Sequence, residues 1–310
     1  MNNSRQATSR NLVGEGTERM AGRKAAEQRF DALLERLGDR FCEPFHLNLL
    51  SASIKLFGSY RSKVNFDLVR RRHYAYSLLR AADLARDYNL SAVTIVEFGV
   101  ATGAGLLNLC KLAQKTTAET GIEVRVVGFD TGSGLPPPID YRDHPELFQE
   151  GDYPMDFKAL AASLPSNGRL VLGPLSETVP EFTEKLVPES PLGFAAIDVD
   201  YYSSAKDALL TLSDPNPEKY LPLTLVYLDD ITAEFQNQWC GELLAINEFN
   251  ATETWRKIEK DRFLKSRRVF KGARWLEQIH LMHVLDHPLI RVGHNSRARK
   301  EYPALSSKLL

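Results

Sequence analysis

The apolar positions change period along the chain, and the changes mark out its elements. Over residues 23–37 the apolar residues Phe30, Leu33, Leu34 and Leu37 share one helical face. After a connector containing Phe57-Gly58-Ser59-Tyr60-Arg61, residues 66–88 read as one long amphipathic helix, with Leu68, Tyr76, Leu79, Ala82 and Leu84 at helical spacing. The pattern then turns β-like. Residues 94–98, 124–129, 169–172, 193–197 and 223–228 are short runs rich in β-formers, and helical stretches alternate with them at 104–118, 156–164, 178–186, 203–212 and 241–250. Continuous apolar character in Ile95-Val96 and Ala195-Ala196-Ile197 suits strands buried on both faces. Two further runs, 268–270 and 279–284, have no convincing helix between them and predict an antiparallel pair at a sheet edge. The expected fold is therefore α/β: a doubly wound, mostly parallel, seven-stranded sheet with a helical N-terminal extension.

The expected organisation is a polar, disordered tail over 1–22, the helical extension over 23–90, the α/β domain over 91–290 and a C-terminal tail over 291–310. Residues 132–152 (GSGLPPPIDYRDHPELFQEGD) follow no period and stand directly after the second strand. A loop of that length inside a compact domain reads as a lid or binding loop. His144 within it is a candidate alternative base, although a loop histidine is more often simply exposed.

Composition narrows the function classes. Hydrophobic residues make up 43% and charged residues 25%, as in a cored globular protein. Lys+Arg 39 against Asp+Glu 40 leaves a net charge of -1, which disfavours a nucleic-acid binder. No apolar run approaches the ~20 residues of a membrane helix, and the first residues lack the apolar segment of a secretory signal. Three scattered cysteines, Cys42, Cys110 and Cys240, make a disulfide framework or a cysteine zinc site improbable. A cytoplasmic location is expected. The run Arg70-Arg71-Arg72-His73 reads as a solvated face or an oligomer contact, with the N-terminal helices as candidates for a homo-oligomer interface. His280, His283 and His287 read as structural, because an edge strand would turn the first two to opposite sides.

The candidate chemistry lies where strands end. Glu97-Phe98-Gly99-Val100-Ala101-Thr102-Gly103 places glycines between the first strand and its helix, where the backbone can approach a ligand closely. The spacing does not match the dinucleotide fingerprint G-x-G-x-x-G. The second strand ends at Asp130, and the later strands end at Asp198-Val199-Asp200 and Asp229-Asp230. In a parallel sheet these ends share one edge, so the acids should converge. That much negative charge calls for a cation, and a hard divalent ion with oxygen ligands, Mg²⁺ or Ca²⁺, is the simplest. Helix capping is the competing explanation for Asp200 and Asp230, but it accounts for one acid per strand and not two. Tyr201, Tyr202 and Trp239 are candidates for stacking on an acceptor, with core packing as the commoner role.

In order, Glu97-x-Gly99, Asp130 followed by Gly134-Leu135-Pro136, Asp198-Val199-Asp200-Tyr201-Tyr202 and Asp229-Asp230 resemble class I S-adenosylmethionine-dependent methyltransferases, in particular the macrocin/mycinamicin O-methyltransferase-like group. The resemblance covers roughly residues 70–250. It implies a Rossmann-like methyltransferase domain that binds S-adenosyl-L-methionine and Mg²⁺ and methylates a hydroxyl of a small-molecule acceptor, a sugar or other natural product. It further implies cofactor contacts at Glu97, Gly99, Ala101, Gly103, Asp130, Gly173 and Asp198, metal ligands at Asp198, Asp229 and Asp230, and Asp200 as general base. The Pro-rich loop and Asp140-Tyr141-Arg142-Asp143-His144-Pro145 depart from that group. Two other functions fit part of the pattern: a glycosyltransferase using Asp198-Val199-Asp200 on a metal-bound nucleotide sugar, and a non-catalytic S-adenosylmethionine-binding protein.

Overall fold

Strand β1 (Ala92–Phe98) is buried at every position, as a strand covered on both faces must be. A computed structural model describes residue 38 and residues 43–232 and 235–291. The candidate helix over 23–37 and both tails beyond position 291 and before 38 lie outside the described residues. β1 stands mid-sheet, parallel to β2 (Glu123–Asp130) on one side and β4 (Leu192–Ile197) on the other. β3 (Gly168–Leu172) and β5 (Tyr220–Leu228) continue the parallel set. β7 (Ile279–Val284) joins β5 antiparallel and carries β6 (Arg256–Lys260) on the outer edge. The order β3-β2-β1-β4-β5-β7-β6 is the expected doubly wound sheet of seven strands.

Two cores follow from strand alternation. Val93 and Ile95 of β1 face α3 (Arg72–Asp87) and α4 (Ala104–Thr120), preceded in the chain by α1 (Phe45–Phe57) and α2 (Tyr60–Asn65). Val96 and Phe98 face the opposite layer, built by α6 (Leu175–Glu184), α7 (Tyr202–Leu209) and α8 (Gly241–Thr252). A short α5 (Phe157–Ser163) follows the 132–152 loop. α3 thus belongs to the sheet's own layering, with Tyr74 and Leu78 fully buried against it. Among the described residues no helix is long and apolar enough to cross a membrane.

Three sequence expectations shift. The helix expected over 66–88 begins at Arg72, because Asp67 (φ 53°) and Arg71 (φ 50°) adopt left-handed backbone that interrupts it. Within the expected connector, Ser59 caps α2 by accepting from the Ser62 N–H at 3.1 Å. The run 268–270 is not a strand: Arg268 is buried, pairs with buried Asp67 at 2.6 Å, and donates to the Val64 carbonyl at 2.7 Å. The partner of β7 is β6, whose sequence Arg-Lys-Ile-Glu-Lys holds one apolar residue, Ile258, as an outermost strand permits.

His280 on β7 is buried while His283 is partly exposed, so the two do face opposite sides. Burial lowers the His280 pKa from 6.5 to about 4. The unfolded chain therefore binds more protons than the folded one between those values, and stability falls as pH drops through that window. The loss is roughly 3 kcal/mol at about 1.4 kcal/mol per pKa unit. Buried His287, also lowered, acts in the same direction. Urea unfolding of His280→Gln across pH 4–7 should show a flatter profile than the parent; an unaltered slope would mean another group titrates.

Candidate active site

A cavity of about 600 Å³ opens at the carboxyl ends of β1, β2, β4 and β5, the edge on which open α/β sheets bind ligands. Gly99 makes the edge possible. It has φ 83°, and a Cβ there would stand 1.7 Å from the Asp198 carbonyl oxygen, so the ends of β1 and β4 meet backbone to backbone. A Cβ at Gly105 would meet Glu97 Oε1 at 2.2 Å, so the first turn of α4 closes directly over that carboxyl.

Glu97 is 1% exposed. The Tyr74 hydroxyl donates to its Oε1 at 2.7 Å, and its Oε2 has no hydrogen-bond partner. Burial pushes its pKa up to about 7, against the opposing pull of the Tyr74 hydrogen bond and the Arg71 charge. Asp130 is held at both oxygens: Oδ2 accepts from the Ala101 N–H at 2.8 Å and Oδ1 from the Gly132 N–H at 2.7 Å. It ties the glycine turn to the start of the 132–152 loop and still lines the cavity.

The later acids converge. Asp198, Asp229 and Asp230 each offer a carboxylate oxygen, and these lie within 4.8 Å of one another. Burial first, then Asp229, Asp230, Glu97 and Asp200, raise the Asp198 pKa well above the usual carboxylate range. Burial also pushes Asp230 up to about 8, with Asp200 and Asp229 adding to it, and Asp200 up to about 6. The Tyr227 hydroxyl donates to Asp229 Oδ1, and the Gln278 side-chain amide to the Asp229 carbonyl at 2.7 Å. Asp230 Oδ2 is buried without a partner. An oxygen-only set of three mutually repelling carboxyls, one with an orphaned oxygen, fits a hard divalent cation.

Capping does not explain these acids. The N-cap positions of α7 and α8 are Tyr201 and Cys240, neither with a side-chain bond. The cap of α7 comes from the loop instead, where Asp143 Oδ1 accepts from the Ser203 N–H at 2.8 Å. Asp200 sits in left-handed backbone (φ 60°), a strained conformation of the kind that clusters at functional sites, and it lines the cavity.

Glu97, Gly99, Ala101, Asp130, Asp198, Asp200, Asp229 and Asp230 all border the cavity. Gly103 and Gly173 do not. Gly103 opens α4 with φ 83° and packs against Leu160, and the Gly173 N–H donates to the Asp130 carbonyl at 2.9 Å, leaving Pro174 and Leu175 as the lining residues. His144 is buried, not exposed, with Nδ1 2.9 Å from Glu146 Oε1. Tyr201 and Tyr202 are buried in packing, and Trp239 is 72% exposed away from the cavity. Three further residues belong to the site. Arg71 lines the cavity although its basic run read as surface. Tyr153 lines it too, its phenol pushed up to about 12 by burial and by Asp200 and Asp230. Glu242, the second residue of α8 and buried, accepts from the Asp230 N–H at 3.2 Å; an acidic residue in a helix's first turn is its one sequence signal.

No protein-family model matches the chain, and a comparison with curated proteins found no match. Among solved structures it is similar to CalS11, a calicheamicin methyltransferase, with 24% identity over 66% of this chain and 82% of that one and a TM-score of 0.43. The O-methyltransferase NovP follows with 18% identity, 58% and 72% coverage and a TM-score of 0.42. MycE, a methyltransferase of the mycinamycin biosynthetic pathway in complex with Mg and SAH, has 9% identity, 66% and 48% coverage and a TM-score of 0.31.

Proposed function

We propose that the chain is an S-adenosylmethionine-dependent O-methyltransferase, assisted by Mg²⁺, acting on a hydroxyl of a small-molecule sugar or natural-product acceptor. One observation carries this reading: the Asp198, Asp229 and Asp230 carboxyls gather at the same cavity edge as the glycine turn. A nucleoside needs the close backbone of that turn, an acidic acceptor for its ribose hydroxyls and an apolar slot for its base. Gly99–Ala101, Asp130, and Phe129 with Leu175 supply these in turn. Asp198, Asp229 and Asp230 would hold the cation. When bound, the cation supplies charge that lowers an acceptor hydroxyl's pKa, and S-adenosylmethionine supplies a methyl group already activated as a sulfonium.

The chain's own residues do the rest. Asp200 accepts the hydroxyl proton as the oxygen attacks. Its left-handed backbone turn stands at the cavity wall. The loop residues Leu135, Pro136, Pro137, Phe148 and Tyr153 cover one side and keep water from the reacting groups. Holding donor and acceptor in line would account for much of the rate, up to about 7–11 kcal/mol in well-aligned cases. A cytoplasmic location goes with this reading, since the methyl donor is made there.

Calorimetry of the whole chain tests it. S-adenosylhomocysteine should bind with a Kd in the nanomolar-to-micromolar range, and a UDP-sugar should not bind. The opposite pattern would make Asp198-Val199-Asp200 the metal motif of a glycosyltransferase.

A further inference from the structure

A second cavity, about 640 Å³, lies on the opposite edge of the sheet, at the amino ends of β1, β2 and β3. It shares no lining residue with the active cavity. Unequal element lengths create it. β3 meets β2 only from Val126 onward, so Glu123, Val124 and Arg125 run past it with one edge open. Thr117 Oγ1 accepts from the Val124 N–H there at 3.3 Å, which satisfies a ladder donor without closing the gap. α6 stops at Glu184, so Val127 is packed with Phe182 while Glu123 and Arg125 stay exposed on an interior strand.

Three cations edge this notch: Arg125, Arg169 and Lys185. Glu123 is the only acid among its lining residues, and it pairs with Arg125 at 2.8 Å. Lys185 pairs with Glu181 at 2.5 Å. Arg169 is left over. Among the described residues no ion pair or hydrogen bond holds its guanidinium, although Glu181 feels its charge. Its register partner is Val127, which puts it on the same strand face as Arg125, with the guanidinium 6.0 Å from the Phe182 ring centroid. Leu186 and the half-exposed Val187 continue the apolar wall. Three cations against two acids leave one positive charge beside that wall.

A single exposed arginine is ordinary, but this one stands in a recess, next to an aromatic ring, with its neighbours' charges already paired. We propose that the notch binds a small organic monoanion with an apolar body, an aryl or short-chain carboxylate. The guanidinium fork takes both carboxylate oxygens, and the body lies along Leu186 and Val187, where its burial adds affinity. A neutral ring would leave Arg169 unengaged. The chain then carries two independent small-molecule sites, one at each edge of the sheet, and this one does not depend on the function proposed above.

Calorimetry of the whole chain, with and without S-adenosylhomocysteine, compares cinnamate with cinnamamide, its neutral counterpart of the same shape. Cinnamate should bind at one equivalent, at least about 10-fold more tightly than the amide, and S-adenosylhomocysteine should not change its affinity. Arg169→Gln should weaken cinnamate by about 10- to 150-fold, the range for losing a hydrogen bond to a charged group, and bring it level with the amide. An unchanged thermal midpoint shows that the variant is folded. Arg262→Gln makes the same charge change on an exposed residue outside the notch and should leave cinnamate binding as it was. No binding of cinnamate by the parent, equal affinities for the two probes, or an Arg169→Gln loss no larger than that of Arg262→Gln would overturn the proposal. Displacement of cinnamate by S-adenosylhomocysteine would overturn it too, by putting the probe in the active cavity.

Discussion

Asp200→Asn is expected to lower methyl transfer by about 10²- to 10⁴-fold, the span that a positioned general base contributes, with S-adenosylhomocysteine binding unchanged. Asparagine matches aspartate in size, so the left-handed turn at φ 60° and the packing of Val199 and Tyr201 on either side have no reason to change. The ability to take a proton is lost, together with the charge by which Asp200 raises the pKa of Asp198 and Asp230. Asp200 is the acid of the cluster best suited to that role. It borders the cavity but stands outside the set of three whose oxygens meet within 4.8 Å. Transfer assays under saturating donor, paired with calorimetry, separate the cases. Lost transfer with intact binding supports the assignment and removes a purely binding role for the protein. Undiminished transfer would show that another group or solvent removes the proton.

Removal of the divalent ion is expected to cost at least about 100-fold in transfer rate, because Lewis-acid stabilisation of a developing alkoxide is worth several kcal/mol. The same acids that would hold the ion repel one another without it, and the raised pKa values of Asp198 and Asp230 report that repulsion together with burial. Dialysis against EDTA should suppress turnover and added Mg²⁺ should restore it. Asp229→Asn should make the Mg²⁺ requirement steeper, since it removes one of three charged ligands while leaving Tyr227 and Gln278 to hold the segment. Turnover indifferent to EDTA would defeat this part of the account.

The strands and their acidic ends were readable from the chain because they obey short-range rules. A strand buried on both faces carries consecutive apolar residues, as Ile95-Val96 of β1 and Ala195-Ala196-Ile197 of β4 do, and a parallel sheet must bring its carboxyl ends to one edge. The residues that were not readable depend on contacts far apart in sequence. β6 is mostly charged, and only its pairing with β7 makes it a strand. Arg268 looked like part of an edge strand, but its buried partner Asp67 is about two hundred positions away. Arg71 and Tyr153 carry no motif; each reaches the cavity through a left-handed backbone turn that no local pattern announces. Asp143 caps α7 from inside the loop, a bond spanning sixty positions. The competing capping explanation looked to Asp200 and Asp230, whereas the aspartate that caps α7 lies sixty positions earlier in the chain.

The central claim is that Asp198, Asp229 and Asp230 form one cation site beside a bound nucleoside. Crystals grown with Mn²⁺ and S-adenosylhomocysteine test it in a single anomalous-scattering measurement. The account predicts one anomalous peak ligated by all three carboxylates, with the adenosyl group against the Gly99–Ala101 turn. S-adenosylhomocysteine in the cavity with no peak between those carboxylates, or Mn²⁺ held elsewhere on the molecule, would contradict it.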